Sequence, residues 1–150
     1  MVRHLRFGVF CALALMLLIP GAVQAKGAPA RVIITGPGLA HPLDVRGPAV
    51  GALGWYSLDD ERHPLRTAPR QLGPGYLVTR YDIDGSTKRY FAWDHVRYYP
   101  NPRGGAGYVY YIGLLNGASE FDGRWFQAGA RGERALRGLL ADYGVHLKGR

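Results

Sequence analysis

Apolar and polar residues alternate with period two through the middle of this chain, and only near its C-terminus does the period lengthen to that of a helix. Arg31 to Thr35 (RVIIT) is β-branched and apolar, a strand closed by Gly36-Pro37-Gly38. Leu39 to Val45 predicts a second short extended piece, with Pro42 placing it at an edge or bend. Gly47 to Gly54 has no period. Trp55 to Leu58 predicts the start of another strand, ended by the acidic turn Asp59-Asp60-Glu61. His63-Pro64, Ala68-Pro69 and Gly73-Pro74 mark residues 62–74 as a long loop.

The centre is read as a hairpin. Gly75 to Tyr81 is one arm, Asp82 to Ser86 the turn and Thr87 to Tyr99 the return, with Asp84-Gly85 expected to supply the positive φ. In the return arm Tyr90, Ala92, Asp94, Val96 and Tyr98 share one parity. Arg89, Phe91, Trp93, His95, Arg97 and Tyr99 share the other, so both faces mix aromatic and polar members. Asn101 to Gly107 is a loop, and Tyr108 to Leu115 is the most strand-like run, expected at the centre of the sheet. A turn at Asn116-Gly117 and a short element holding Trp125 follow. Ala135, Leu136, Leu139, Leu140 and Tyr143 then form a helical stripe, with Arg134, Arg137 and Asp142 on its solvated side. Glu133 suits the first turn and Gly144 the end. The fold class expected is α+β: a small, mostly antiparallel β-sheet with one C-terminal helix, residues about 131–143, packed on it.

The first 25 residues have a different character. Arg3 and Arg6 precede an apolar core from Val9 to Ile19, and Val23 and Ala25 are the small residues of a cleavage site. The apolar core is shorter than the ~20 residues that span a bilayer, and Pro20-Gly21 interrupt it. Cys11 lies inside it, too early for lipid attachment. Residues 1–25 therefore predict a signal peptide cleaved after Ala25, with no transmembrane anchor left behind. Residues 26–150 are then a single β-rich domain, secreted or in a bacterial cell envelope. That domain contains no cysteine, so packing alone must hold it.

Charge narrows the partners. The formal charge is +8, of which Arg3 and Arg6 supply two, and 16 of the 19 basic residues are Arg. The surplus favours encounter with anionic surfaces. It is scattered, however: Asp59, Asp60 and Glu61 adjoin Arg62, and Asp94 interrupts Arg89 and Arg97. There is no run of five basic residues and no nucleic-acid motif, so nucleic acid is not expected. The 22 glycines and 10 prolines suit turns between short strands.

Candidate chemistry is sparse. Asp82, Asp84 and Ser86 alternate as at the start of a calcium loop. The sixth and twelfth positions hold Thr87 and Trp93 rather than glycine and glutamate. A hairpin turn is the plainer reading, with a weak calcium clip as the alternative. His41, His63, His95 and His146 form no metal motif, and no cofactor is expected. Asp94 and His95, as strand neighbours, point to opposite faces. Ser57, Ser86 and Ser119 lie in no nucleophile elbow, and the acids at 59–61 and at 120 and 122 have no defined separation. GPGLAHP and NPRGGAG lack the lysine of a phosphate-gripping loop.

The aromatic set says more. All 10 Tyr and 3 Trp lie beyond residue 54, more than one inward face absorbs. The expected function is a non-catalytic binding module for an anionic glycan, a cell-wall or peptide polymer, or another exported protein. Its candidate binding residues are Trp93, His95, Arg97 and Tyr99, with Arg89 and Arg124 alongside. The alternatives are a small extracellular hydrolase of envelope polymer working through Asp94 or His95, and a structural or inhibitor-like partner.

Overall fold

The computed structural model describes residues 28–147; the expected signal peptide and its cleavage point lie outside them. Seven strands form one sheet: β1 (Arg31–Thr35), β2 (Leu43–Val45), β3 (Asp59–Leu65), β4 (Tyr76–Ile83), β5 (Tyr90–Tyr99), β6 (Tyr108–Leu114) and β7 (Trp125–Ala128). Their order is β2-β1-β4-β5-β6-β7-β3, and every pairing is antiparallel. One helix, α1 (Ala130–Asp142), follows the last strand, and a 3-10 helix spans Gly47–Ala52. The expected α+β class is the one found.

Alternation decides which side of each strand faces inward. Val32, Ile34, Val78, Val96, Val109 and Phe126 are fully buried on one face, where Leu136 and Leu140 of α1 meet them. Each such side chain contributes roughly 1.5–3 kcal/mol by leaving water. Among the described residues this core has no disulfide to assist it.

Three expectations need correcting. The strand lies not at Trp55–Leu58 but at Asp59–Leu65, where an acidic turn and the start of a long loop were expected. Asp59 is drawn inward by a buried arginine in β4, and Pro64 is tolerated because β3 is an edge strand. The central position belongs to β5, not β6. The hairpin turn occupies 84–89 rather than 82–86: Asp84 N–H donates to Arg89 O at 2.9 Å, and the left-handed residue is Lys88 (φ 56°) rather than Gly85.

The stripe of α1 is seated through glycine. Gly132 N–H donates to Ser57 O at 3.0 Å and Gly129 N–H to Leu58 O at 2.8 Å, so the first turn rests on the 57–58 backbone. A Cβ at Gly132 would strike Ser57 O and the Leu58 backbone. Glu133, in the first turn as expected, points inward and accepts from Tyr98 Oη at 2.7 Å and Gly107 N–H at 3.0 Å. Arg137, expected on the solvated side, folds back to Glu133 at 3.1 Å and is half-buried. Gly144 (φ 80°) ends the helix: its N–H bonds Ala141 O and that of Val145 bonds Leu140 O, a Schellman closure.

Two glycines of α1 therefore predict opposite outcomes. Gly132→Ala is expected to lower unfolding free energy by about 1–3 kcal/mol through overpacking. Gly138→Ala, with nothing within 4 Å of the new methyl, is expected to raise it by roughly 0.5–1 kcal/mol through helix propensity. Denaturant unfolding of the two variants reads both signs.

Candidate functional site

Polar chemistry is distributed unequally between the two faces of the sheet. On the inner face Arg80 is 0 % exposed, as are Asp59 and Asp94. Arg80 Nε and Nη2 donate to Asp94 at 2.7 and 2.8 Å, and Nη1 donates to Asp59 at 2.7 Å. Trp55 Nε1 and Tyr111 Oη complete the Asp94 shell at 2.8 and 2.9 Å. Burial by itself would lower the Arg80 pKa, but the two carboxylates outweigh it and hold the guanidinium charged. Asp94 is thus sealed and saturated, and cannot meet a polymer substrate.

The outer face holds the rest of the candidate residues. His95, Arg97 and Tyr99 share it, as their parity requires. Trp93 does not. Arg80 pairs with Asp94 but Tyr81 with Ala92, so Trp93 is an extra residue in β5 and turns to the inner side. There it meets Trp55 and Phe91, each at 6.1 Å between ring centroids.

Other aromatics take its place. Register sets Arg97 opposite Tyr110 and Tyr99 opposite Tyr108 in β6, and Trp125 of β7 opposite Tyr110. The Trp125 ring lies 4.9 Å from Tyr110 and 5.4 Å from Tyr99, so three half-exposed rings form a continuous row. Gly75 makes room: a Cβ there would stand 2.8 Å from the Tyr99 ring and 3.0 Å from Arg97. Beside the row, Leu65, Arg66, Thr67, Arg124 and Trp125 line a hollow of about 390 Å³.

Hydroxyl pairing separates the faces. Inside, Tyr98 donates to Glu133 and Tyr111 to Asp94; burial first, then the carboxylate each one meets, push both phenols well above the ordinary value. Outside, the hydroxyls of Tyr99, Tyr108 and Tyr110 have no protein partner among the described residues. The same holds for Arg66, Arg70, Arg97 and Arg124, none of which has an ion-pair partner there. At the opposite edge of the same face two cations share one acid. Arg31 and Arg46 clamp Asp44, whose pKa falls to about 2 chiefly through the Arg31 hydrogen bond. His95 sits lower than usual for an imidazole because burial outweighs the pull of Asp94.

The remaining candidates lie apart. Arg89 is exposed in the hairpin turn, roughly 30 Å along β5 from Tyr99 at 3.3 Å per residue. Asp84 accepts from Ser86 N–H at 2.8 Å, Ser86 Oγ at 2.5 Å and Thr87 N–H at 2.7 Å, which ties its carboxylate to the turn and holds its pKa at about 2. Asp82 accepts from its neighbour Ile83 N–H at 2.7 Å. No group of three or more His, Cys, Asp or Glu poised around a metal occurs among the described residues.

The sequence reading missed Trp125, Tyr110 and Tyr108 as the company of Tyr99, and Arg66 as a neighbour of Trp125. The alternation of Tyr108 and Tyr110 was visible; that β7 lies against β6 was not. No protein-family model, curated protein or solved structure matches the chain.

Replacing Arg80 by Met leaves two buried carboxylates unpaired and is expected to lower stability by about 3–5 kcal/mol, read by thermal or denaturant unfolding. The depressed pKa of His95 means that the unfolded imidazole takes up a proton first. Its contribution is present above about pH 6.5 and is lost as pH falls through the lower folded value. An NMR titration midpoint below 6.5, with His95→Gln flattening stability against pH over that window, is the expected result.

Proposed function

We propose that this protein is a non-catalytic binding module of the bacterial envelope or exterior, whose outer sheet face takes an anionic glycan or wall polymer. One observation carries the reading: the half-exposed row Tyr99–Trp125–Tyr110 is bordered by Arg97 and Arg124, which have no acid to neutralise them among the described residues. Aromatic faces offer large area at small entropic cost, and arginine forks match carboxylate or phosphate oxygens. Paired chemistry of this kind recognises a polymer of rings and negative charges.

The setting outside the cytoplasm rests on the N-terminal pattern of Arg3, Arg6, the apolar core and Ala25. No helix among the described residues is long and apolar enough to cross a membrane. A hydrolytic role for Asp94 has no support in this geometry, because its oxygens are used by Arg80, Trp55 and Tyr111. A role for His95 lacks a partner acid, since Asp94 faces the other way.

Binding of the purified full chain to polygalacturonate, with dextran as the neutral control, tests the proposal. Trp125→Ala and Arg97→Glu are each expected to weaken binding by about tenfold or more, the loss of ~1.4 kcal/mol or more. Arg89→Glu, remote in the turn, is expected to leave it within about twofold. Equal affinity for dextran and polygalacturonate, or indifference to Trp125→Ala, would sink the reading.

A further inference from the structure

A second hollow lies beyond the aromatic row. Where the loop after β3 passes the loop after β5, Arg70, Gln71, Asn101, Arg103 and Tyr108 line a space of about 350 Å³. Arg103 Nη2 donates to Gln71 Oε1 at 2.5 Å, and Arg103 N–H donates to Asn101 Oδ1 at 3.0 Å, so the two loops are tied and the cation is held in place. The first hollow contains Arg66 and Arg124. Each therefore presents two arginines, and no carboxylate lines either.

The hollows share one surface. Tyr108, in the second, is the cross-strand partner of Tyr99; Trp125, in the first, is the partner of Tyr110. Tyr108 and Trp125 stand on adjacent strands and two positions apart in register, so their Cα atoms are separated by roughly 8 Å given the strand spacing and rise. The row of rings fills the interval. An arginine pair thus stands in the hollow on either side of the rings.

We infer that the two hollows are paired acid-group subsites of a single track, and that the ligand is a linear acidic polysaccharide carrying carboxylates at regular intervals. This rests on the binding face proposed above and specifies its ligand. Each hollow receives one carboxylate through its arginine forks. The intervening sugar rings lie over Trp125, Tyr99 and Tyr110, with the free phenol hydroxyls of Tyr99, Tyr108 and Tyr110 meeting sugar hydroxyls. Rings inclined to one another by 37° and 41° make a faceted patch.

Calorimetric titration of the full chain with oligogalacturonates and oligomannuronates of increasing length decides the matter. Affinity is expected to step up by about a hundredfold once an oligomer reaches both hollows, as a second tethered contact supplies effective concentration. Arg66→Ala with Arg124→Ala, and separately Arg70→Ala with Arg103→Ala, are each expected to abolish the step while short oligomers still bind at the intact hollow. Circular dichroism checks each variant, and Arg70→Glu alone replaces the second pair if that variant does not fold. A smooth length dependence untouched by either pair, with Trp125→Ala still harmful, overturns the two-subsite track and leaves the binding face standing. Tighter binding of single-stranded DNA or polyphosphate at equal salt overturns the polysaccharide assignment. No binding to any uronate oligomer or polymer removes both this inference and the reading beneath it.

Discussion

Arg80 is the buried charge around which the molecule is arranged. A guanidinium without water is tolerated only where its donors and its charge are both answered. Here Asp94 answers from the neighbouring strand and Asp59 from the far edge strand. In a flat sheet β3 and β4, four spacings apart, would stand about 19 Å from each other, far beyond the reach of these side chains. Contact at 2.7 Å therefore requires a sheet rolled toward its inner face. That roll encloses the core, and Leu136 and Leu140 of α1 are buried within it. Trp55 and Tyr111 extend the same cluster into the loop before β3 and into β6.

Rolling the sheet also determines what the outer face can be. Inward tyrosines find carboxylates: Tyr98 meets Glu133 and Tyr111 meets Asp94. Outward tyrosines, on the convex side, are half covered by one another and by Trp125, with their hydroxyls left to solvent or ligand. The same residue type thus ties the interior together on one side and forms a half-exposed row on the other. Charge follows the same division. The buried cation is answered by two acids, the cations at the β1–β2 edge by Asp44, and those near Trp125 by none among the described residues. That imbalance is what the proposed anionic ligand at the β6–β7 end rests on.

How much of this was written in the chain varies with the length scale of the signal. Strand β1, the two arms of the central hairpin, β6 and α1 announce themselves through local period and β-branched or helix-forming composition, and these are the elements found. β3 did not, because its sequence DDERHPL is that of an edge strand whose one deeply buried member, Asp59, is made acceptable only by an arginine in β4. Strict alternation puts Trp93 on one face with His95, Arg97 and Tyr99. One bulged residue sends it to the other side, and a bulge leaves no mark in hydrophobic pattern.

The sequence by itself determined the α+β class, the period and polarity of most elements, the wealth of aromatic residues and the surplus of arginine, because each depends on neighbours along the chain. Only the tertiary structure decided that Asp94 is a structural anion rather than an available acid, and that Tyr99 stands with Trp125 and Tyr110 rather than with Trp93. It alone placed Arg124 beside the row and Arg89 far from it. These outcomes depend on strand order and register, which bring together residues tens of positions apart. No local rule of spacing reaches across that distance, because the closing of the apolar core and the pairing of Arg80 with its two acids are properties of the whole sheet.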